Sequence, residues 1–370
     1  MEIEVERYKS EFSFDQPKSI FLPFSEKIKD DIRIQKYLFH TYNIIKLYNF
    51  CIFLYNFLYS SDNSFNFTAM KIPAFSIPII EIPLEKDVRL FLKREDLIHP
   101  NISGNKYWKL FHNINSYLGQ HPENPFIITF GGAFSNHIAA TAALGKEFNL
   151  KTLGIIRGEE LQNKWQENPT LKLAQENGME FRFVTREIYR DKENLTKNLK
   201  KEFPHALVIP EGGTNELAVE GIRNMLTDET KSFDYLCAAV GSGGTVAGIS
   251  RFAEENQQVL GFKVVDDESL FQTVRDLSKR ENFKLIDAHD GKYGKITDEN
   301  IRFINDFKRK FGIQLDPVYT GKMMKKLFEM FEKDEFPDGS KILAFHTGGL
   351  QGIYGAKEML KKQNRETIKI

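Results

Sequence analysis

Lys106 closes a Gly104-Asn105-Lys106 turn at the mouth of a helix-like run, Tyr107, Trp108, Lys109 and Leu110, and follows the stretch Leu92-Lys93-Arg94-Glu95-Asp96-Leu97. A lysine held between apolar runs loses its proton more readily than a free one, because burial disfavours the ammonium form. The neutral amine can form a Schiff base with an aldehyde, and the aldehyde that proteins most often keep for this purpose is pyridoxal phosphate. Alone the pattern is weak, since most lysines near helix starts are solvated. Three glycine loops elsewhere give it weight.

Each loop follows a buried-looking, β-prone run and precedes helix-compatible sequence. Residues 125–130 lead into Gly131-Gly132-Ala133-Phe134-Ser135-Asn136-His137, residues 233–240 into Gly241-Ser242-Gly243-Gly244-Thr245, and residues 341–345 into His346-Thr347-Gly348-Gly349. Strand, glycine turn and helix together bring backbone amides to the carboxyl ends of parallel strands, where anions bind. Gly241 to Thr245 is the best phosphate cradle, with hydroxyl donors from Ser242 and Thr245. It lacks the terminal lysine of a P-loop and does not fit G-x-G-x-x-G with a partner acid, which argues against a nucleotide-dependent oxidoreductase. A cofactor-binding protein without catalysis would have lost Lys106 or its neighbours, and they are intact.

With these loops the chain resembles the fold-type II pyridoxal-phosphate enzymes, and within them the family of D-cysteine desulfhydrase and 1-aminocyclopropane-1-carboxylate deaminase. The matching motifs are Lys-Arg-Glu-Asp-Leu at 93–97, Gly-Asn-Lys at 104–106, Gly-Gly-x-x-Ser-Asn-His at 131–137, Pro-Glu-Gly-Gly-Thr-Asn at 210–215, Gly-Ser-Gly-Gly-Thr at 241–245 and Asp-Pro-Val-Tyr-Thr-Gly-Lys at 316–322. They come in the family's order, from about Met70 to the end of the chain. Trp108 departs from the family, which usually carries arginine there, and reads as a local surface or packing change.

The resemblance implies pyridoxal 5′-phosphate as cofactor and a role for each matching residue. Lys106 would hold the cofactor as a Schiff base and move the substrate's Cα proton. Asn136 would hydrogen-bond the cofactor's 3′ oxygen, and Ser135 would hold the substrate carboxylate. Gly241, Ser242, Gly243, Gly244 and Thr245 would bind the phosphate, with Tyr319 stacked on the ring and Tyr293 as the second active-site tyrosine. His137, Thr347 and Gly348 would complete the substrate side.

Two positions separate the family's activities. The deaminases resembled here carry glutamate after the stacking tyrosine and leucine before the last glycine pair, whereas this chain has Thr320 and Thr347. A carboxylate against the pyridine nitrogen keeps it protonated and makes the ring a strong electron sink, suited to an unactivated cyclopropane. A threonine hydroxyl, here placed on the cofactor side by the resemblance, gives a weaker sink, adequate for a good β-leaving group. The expectation is β-elimination from D-cysteine or a related small amino acid, giving pyruvate, ammonia and hydrogen sulfide. The alternatives are a 1-aminocyclopropane-1-carboxylate deaminase and a cysteate-type sulfo-lyase.

Composition fits a soluble enzyme acting on a small molecule. The 370 residues suffice for two domains, and 51 basic residues balance 51 acidic ones, so no field draws nucleic acid or an acidic membrane. Cys51 and Cys237 lie in separate segments and suggest no disulfide framework. The cytoplasm is the expected compartment, and a homodimer the expected assembly.

Residues 1–69 differ from the rest: all 25 glycines lie after them, and Ala69 is their only alanine. The apolar stretch 42–59 is interrupted by Asn43, Lys46, Asn49 and Asn56, which makes a membrane span marginal. The reading is an atypical aromatic-rich extension outside the fold, with an amphipathic helical cap as the alternative.

From Met70 onward the expected fold class is α/β, two doubly wound open-sheet domains with the cofactor in the cleft between them. Strands are expected near 89–93, 126–130, 152–157, 180–184, 206–209, 235–240, 261–265 and 341–345. Residues 298–311 show helical spacing, with Ile301, Ile304, Phe307 and Phe311 on one face. The resemblance divides the chain into a large cofactor domain, 70–108 plus 213–370, and a small domain, 109–212.

Overall fold

The computed structural model describes residues 70–291 and 294–370. Residues 1–69, with the expected extension and its apolar stretch, and Tyr293 lie outside the described residues. The chain forms ten strands among the described residues, β1 (Ile79–Ile82), β2 (Arg89–Lys93), β3 (Phe126–Gly131), β4 (Lys151–Arg157), β5 (Met179–Val184), β6 (Leu207–Ile209), β7 (Tyr235–Val240), β8 (Gln258–Lys263), β9 (Phe283–Asp287) and β10 (Lys341–Phe345). They make a six-stranded sheet, ordered β1-β2-β10-β7-β8-β9, and a four-stranded sheet, ordered β5-β4-β3-β6. All pairs are parallel except β1 with β2. The strands of the smaller sheet all fall between β2 and β7, and the helix Asn105–Leu118 runs across residue 109.

Both faces of the larger sheet are buried, as alternation along its central strands shows. Leu236, Ala238 and Val240 of β7 join Leu343 and Phe345 of β10 in one apolar cluster. Cys237 and Ala239 point the other way and meet Ile342 and Ala344 in a second. Such two-sided burial requires helices on both faces, and this explains the continuous apolar runs that made these strands legible. The smaller sheet repeats the pattern, with Leu153 and Ile155 of β4 in one cluster and Ile156 in another.

Seven of the eight expected strands lie within a residue or so of their expected positions, and β8 runs three residues earlier. The two strands not expected, β1 and β9, are the edges of the larger sheet. β1 is a four-residue Ile-Ile-Glu-Ile run between Pro78 and Pro83, and half of it is exposed, so it carries little periodicity. The helix Asp298–Phe311 has the expected bounds: Thr297 caps it by accepting from Asn300 N, and Gly312 ends it at φ 71°. Ile301, Ile304 and Phe307 are buried on its inner face, while Phe311 is half-buried. No helix among the described residues is long and apolar enough to cross a membrane.

Candidate active site

The carboxyl ends of β2, β3, β7 and β10 all deliver their following loops to one cavity of about 550 Å³. After β2 the chain reaches Gly104 and starts the helix Asn105–Leu118, of which Lys106 is the second residue. Gly104 has φ 65° and ψ −147°, and a Cβ there would lie 2.0 Å from the carbonyl oxygen of Thr347. Only glycine fits, so the lysine turn is locked against the loop that follows β10. Lys106 lines the cavity, and desolvation lowers its ammonium to about 8. About a tenth of the side chain is then neutral at pH 7, some hundreds of times more than for an ordinary lysine.

Lys109, one turn later, lines the same cavity and was given no role by the sequence. Its Nζ donates to Gly212 O at 2.6 Å and Thr214 Oγ1 at 2.9 Å. Burial and the neighbouring charge of Lys106 hold its pKa well below the ordinary value. Thr214 Oγ1 lies 2.7 Å from Ser242 Oγ, and Asn105 Nδ2 donates to Thr245 Oγ1 at 2.7 Å. These contacts fasten the loop after β7 to the lysine helix. Gly243, at φ 82°, turns that loop into the helix Gly244–Phe252, so a helix N-terminus faces the cavity beside Lys109.

The loop after β3 opens the helix Asn136–Glu147, capped by Ser135 Oγ, which accepts from Ile138 N at 3.3 Å. Ser135, Asn136 and His137 all line the cavity. Asn136 Oδ1 accepts from Gln351 Nε2 at 2.7 Å. His137 is buried, with Nε2 2.8 Å from Thr129 Oγ1. Thr129 gives its one proton to Ile209 O at 3.0 Å, so it accepts from His137, and Nε2 carries the hydrogen. His137 Nδ1 is then an acceptor, and it has no partner among the described residues. Burial first, then the charges of Lys106 and Lys109, push the imidazole pKa far down, so the ring is neutral.

Tyr319 and Thr347 line the cavity as well, and a Cβ on Gly241 would lie 3.0 Å from the Tyr319 ring. Asp316 organises this corner: its Oδ1 accepts from Val318 N at 2.9 Å and Tyr319 N at 2.8 Å, and its Oδ2 from Thr320 N at 2.7 Å and Thr320 Oγ1 at 2.6 Å. Thr320 is fully buried and is not among the cavity-lining residues. Gly348 lies behind Thr347 at φ 80°, against Ser103 and Gly104. Tyr293 is outside the described residues. Sequence reasoning assigned nothing to Lys109, Thr214, Asn105 or Arg157, all of which line the cavity. Lys109 had one legible signal, its position three residues after Lys106 on the same helix face.

Trp108 belongs to the core rather than the surface. Its Nε1 donates to Glu95 Oε2 at 2.8 Å, while Lys93 Nζ lies 3.6 Å from Glu95 Oε1 and donates to Met225 O at 2.6 Å. Burial lifts the Glu95 carboxyl to about 7, against the pull of Lys93 and the indole. Its unfolded pKa is near 4.3, so its contribution to stability is present in acid and lost as pH rises through about 7. The indole N–H favours the ionised form, and Trp108→Phe is expected to destabilise by roughly 1–3 kcal/mol. The deficit in melting temperature should be larger at pH 8 than at pH 5. Equal deficits at both would contradict an ionising Glu95.

The chain is similar to known proteins in both sequence and fold. A family model described as pyridoxal-phosphate dependent enzyme matches residues 73–348. The mitochondrial bifunctional D-cysteine desulfhydrase/1-aminocyclopropane-1-carboxylate deaminase of Arabidopsis thaliana is 34% identical over 304 residues, 73% of this chain and 75% of its own. A solved structure of an ACC deaminase homologue is 29% identical, with a TM-score of 0.69, covering 80% of this chain and 96% of that one. The O-acetylserine dependent cystathionine β-synthase of Helicobacter pylori, 14% identical, shares the fold at a TM-score of 0.57 over 76% of this chain and 95% of its own.

The residues present fit the cofactor that this family carries. A readily deprotonated lysine for an aldehyde, a helix N-terminus with hydroxyls for a phosphate, and an aromatic ring beside them line one cavity. The chain therefore belongs to the pyridoxal-phosphate dependent enzymes, as a fold-type II lyase of the D-cysteine desulfhydrase and 1-aminocyclopropane-1-carboxylate deaminase family.

Proposed function

We propose that this enzyme eliminates the β-substituent of D-cysteine or a closely related small amino acid, giving pyruvate, ammonia and, from cysteine, hydrogen sulfide. Bound pyridoxal phosphate supplies an electron sink that acidifies the substrate's Cα–H. Lys106 would hold the cofactor through Nζ and, when free of it, would take the substrate's Cα proton at the same atom. Desolvation, which brings this amine to about 8, suits it to both tasks near neutral pH. Gly241 to Thr245, at the start of the helix Gly244–Phe252, would hold the phosphate, with the Lys109 amine as a further donor beside them. Tyr319 would lie against the ring, and Asn136 would hydrogen-bond the ring oxygen.

Ser135 and the start of the helix Asn136–Glu147 bind the substrate carboxylate. The buried, neutral His137 and the side chain of Thr347 close the substrate side. Tyr293 remains the proposed second tyrosine, and Gly348 supports the substrate loop from behind.

One observation carries the preference for elimination. The position after Tyr319 supplies no carboxylate: Thr320 Oγ1 is neutral, and its proton goes to Asp316 Oδ2 at 2.6 Å. Fully buried and outside the cavity lining, a hydroxyl so committed would not hold a ring nitrogen protonated, and a weaker sink would suit a leaving group such as thiolate. The name of the Arabidopsis relative joins both activities, so 1-aminocyclopropane-1-carboxylate is the substrate to compare. Pyruvate release is expected with D-cysteine, at a kcat/KM well above that for L-cysteine, and 2-oxobutanoate release from the cyclopropane should be far slower. Preference for the cyclopropane would contradict the threonine argument. Light scattering of the eluting protein is expected to give a homodimer.

A further inference from the structure

Asn136 opens its helix and lines the cavity, and the role given to it above needs its side chain to donate a hydrogen bond. A carboxamide offers an oxygen that only accepts and a nitrogen that only donates. A half-turn about its last bond exchanges the two. Some neighbour must therefore decide which of them a bound ring would meet.

That neighbour comes from the other sheet. Asn136 follows β3 of the smaller sheet, whereas Gly349 and Gln351 follow β10 of the larger one. Gln351 Nε2 donates to Asn136 Oδ1 at 2.7 Å, which commits the oxygen. Gln351 is not among the cavity-lining residues, so it reaches the cavity only through Asn136. Gly349 seats the nitrogen: at φ 89°, a Cβ there would lie 2.5 Å from Asn136 Nδ2 and 3.4 Å from Asp316 Cγ. Only glycine leaves the amide its place. Asn136 Nδ2 itself has no acceptor among the described residues, so its donor capacity is free.

We infer that Gln351 is a positioning residue for the cofactor: by donating to Asn136 Oδ1, it presents Asn136 Nδ2 rather than the oxygen to the ring oxygen. This rests on the hydrogen bond from Asn136 to that oxygen proposed above. Glutamine supplies an uncharged donor at this place. A carboxylate of the same shape could only accept, and it would draw Nδ2 to itself and turn Oδ1 toward the ring. The amide would then set one acceptor against another, and the ring oxygen would lose its partner.

Gln351→Glu keeps the shape and removes the donor, and Gln351→Met removes donor and acceptor together. Both should be compared with the native holoenzyme and with Asn136→Ala, by titrating the yellow absorbance of the bound cofactor with pH and by measuring cofactor affinity. Asn136→Ala should move the pH midpoint of that absorbance by about one unit, the size of one hydrogen bond to an ionised oxygen. Gln351→Glu should move it as far and weaken cofactor binding about tenfold. Gln351→Met leaves the amide undirected without reversing it, and should fall between Gln351→Glu and the native enzyme. In the double variant Asn136→Ala/Gln351→Glu the midpoint should match that of Asn136→Ala alone, because Gln351 acts only through the amide. A further shift in the double variant would assign Gln351→Glu a direct effect of its charge and overturn the inference, as would a native midpoint in Gln351→Glu. No shift in Asn136→Ala would remove the reading of Asn136 itself, and the inference with it.

Discussion

Lys106→Ala is expected to lower pyruvate release by about 10³-fold or more, because one side chain both captures the aldehyde and takes the Cα proton. Lys109 does not stand in for it. Its Nζ is anchored on Gly212 O and Thr214 Oγ1, against the glycine loop after β7. The same amine sets a pH dependence for cofactor capture by the cofactor-free protein. Only the unprotonated form of Lys106 attacks, so the capture rate should climb about tenfold per pH unit up to about 8 and level off above it. Continued increase toward pH 10 would mean that burial has not shifted the group. A loss below about tenfold in Lys106→Ala would show that another residue moves the proton.

Gly104→Ala should unfold the enzyme more readily and empty its site together. The new Cβ would lie 2.0 Å from Thr347 O and 2.7 Å from Gly348 N, on a backbone held at φ 65°. These are backbone atoms, so no side-chain rotation relieves the overlap. Strain at a positive φ and forced displacement each cost roughly 1–3 kcal/mol, about 4 kcal/mol together, and the melting temperature should fall by roughly 10 °C. Thr347 must move to make room, and it lines the cavity, so cofactor affinity should fall with stability. Gly178→Ala is the control: φ there is 87°, but nothing lies within 4 Å of the added carbon. If the two variants lose the same stability, the close approach of the lysine turn to the Thr347 loop is not what Gly104 serves.

Much of the fold was legible because the central strands are buried on both faces. Residues 235–240 and 341–345 read as continuous apolar runs, and alternate side chains feed the two clusters on either side of the sheet. β1 was not legible, since antiparallel pairing at an edge asks little of its sequence beyond four residues between prolines. Loop residues carried the site for a related reason. Gly104, Gly243 and Gly348 hold backbone conformations with positive φ, and their spacing before helix starts survives as a motif.

For side chains that reach the cavity from afar, the sequence shows at most a motif and never the contact. Thr214 arrives from the loop after β6 to meet Lys109 and Ser242, and only tertiary packing brings the three together. Arg157 is one cation among many at the end of a strand, distinguished only by lacking a counter-charge among the described residues. Trp108 read as a departure of packing or surface, and the buried Glu95 that receives its N–H explains why an indole stands there.

The decisive measurement is to reduce the holoenzyme with borohydride and map the labelled peptide. Three lysines compete on physical grounds: Lys93, Lys106 and Lys109 each have a pKa lowered by burial. Lys93 donates to Met225 O beside Glu95, and Lys109 is fastened to the loop Gly212–Thr214, whereas Lys106 lines the cavity and, among the described residues, makes only a 3.4 Å contact to Asn105 Oδ1. Loss of the yellow absorbance together with a pyridoxyl group on Lys106 alone is the predicted result. A pyridoxyl group on Lys109 or Lys93, or no labelled lysine at all, would contradict it.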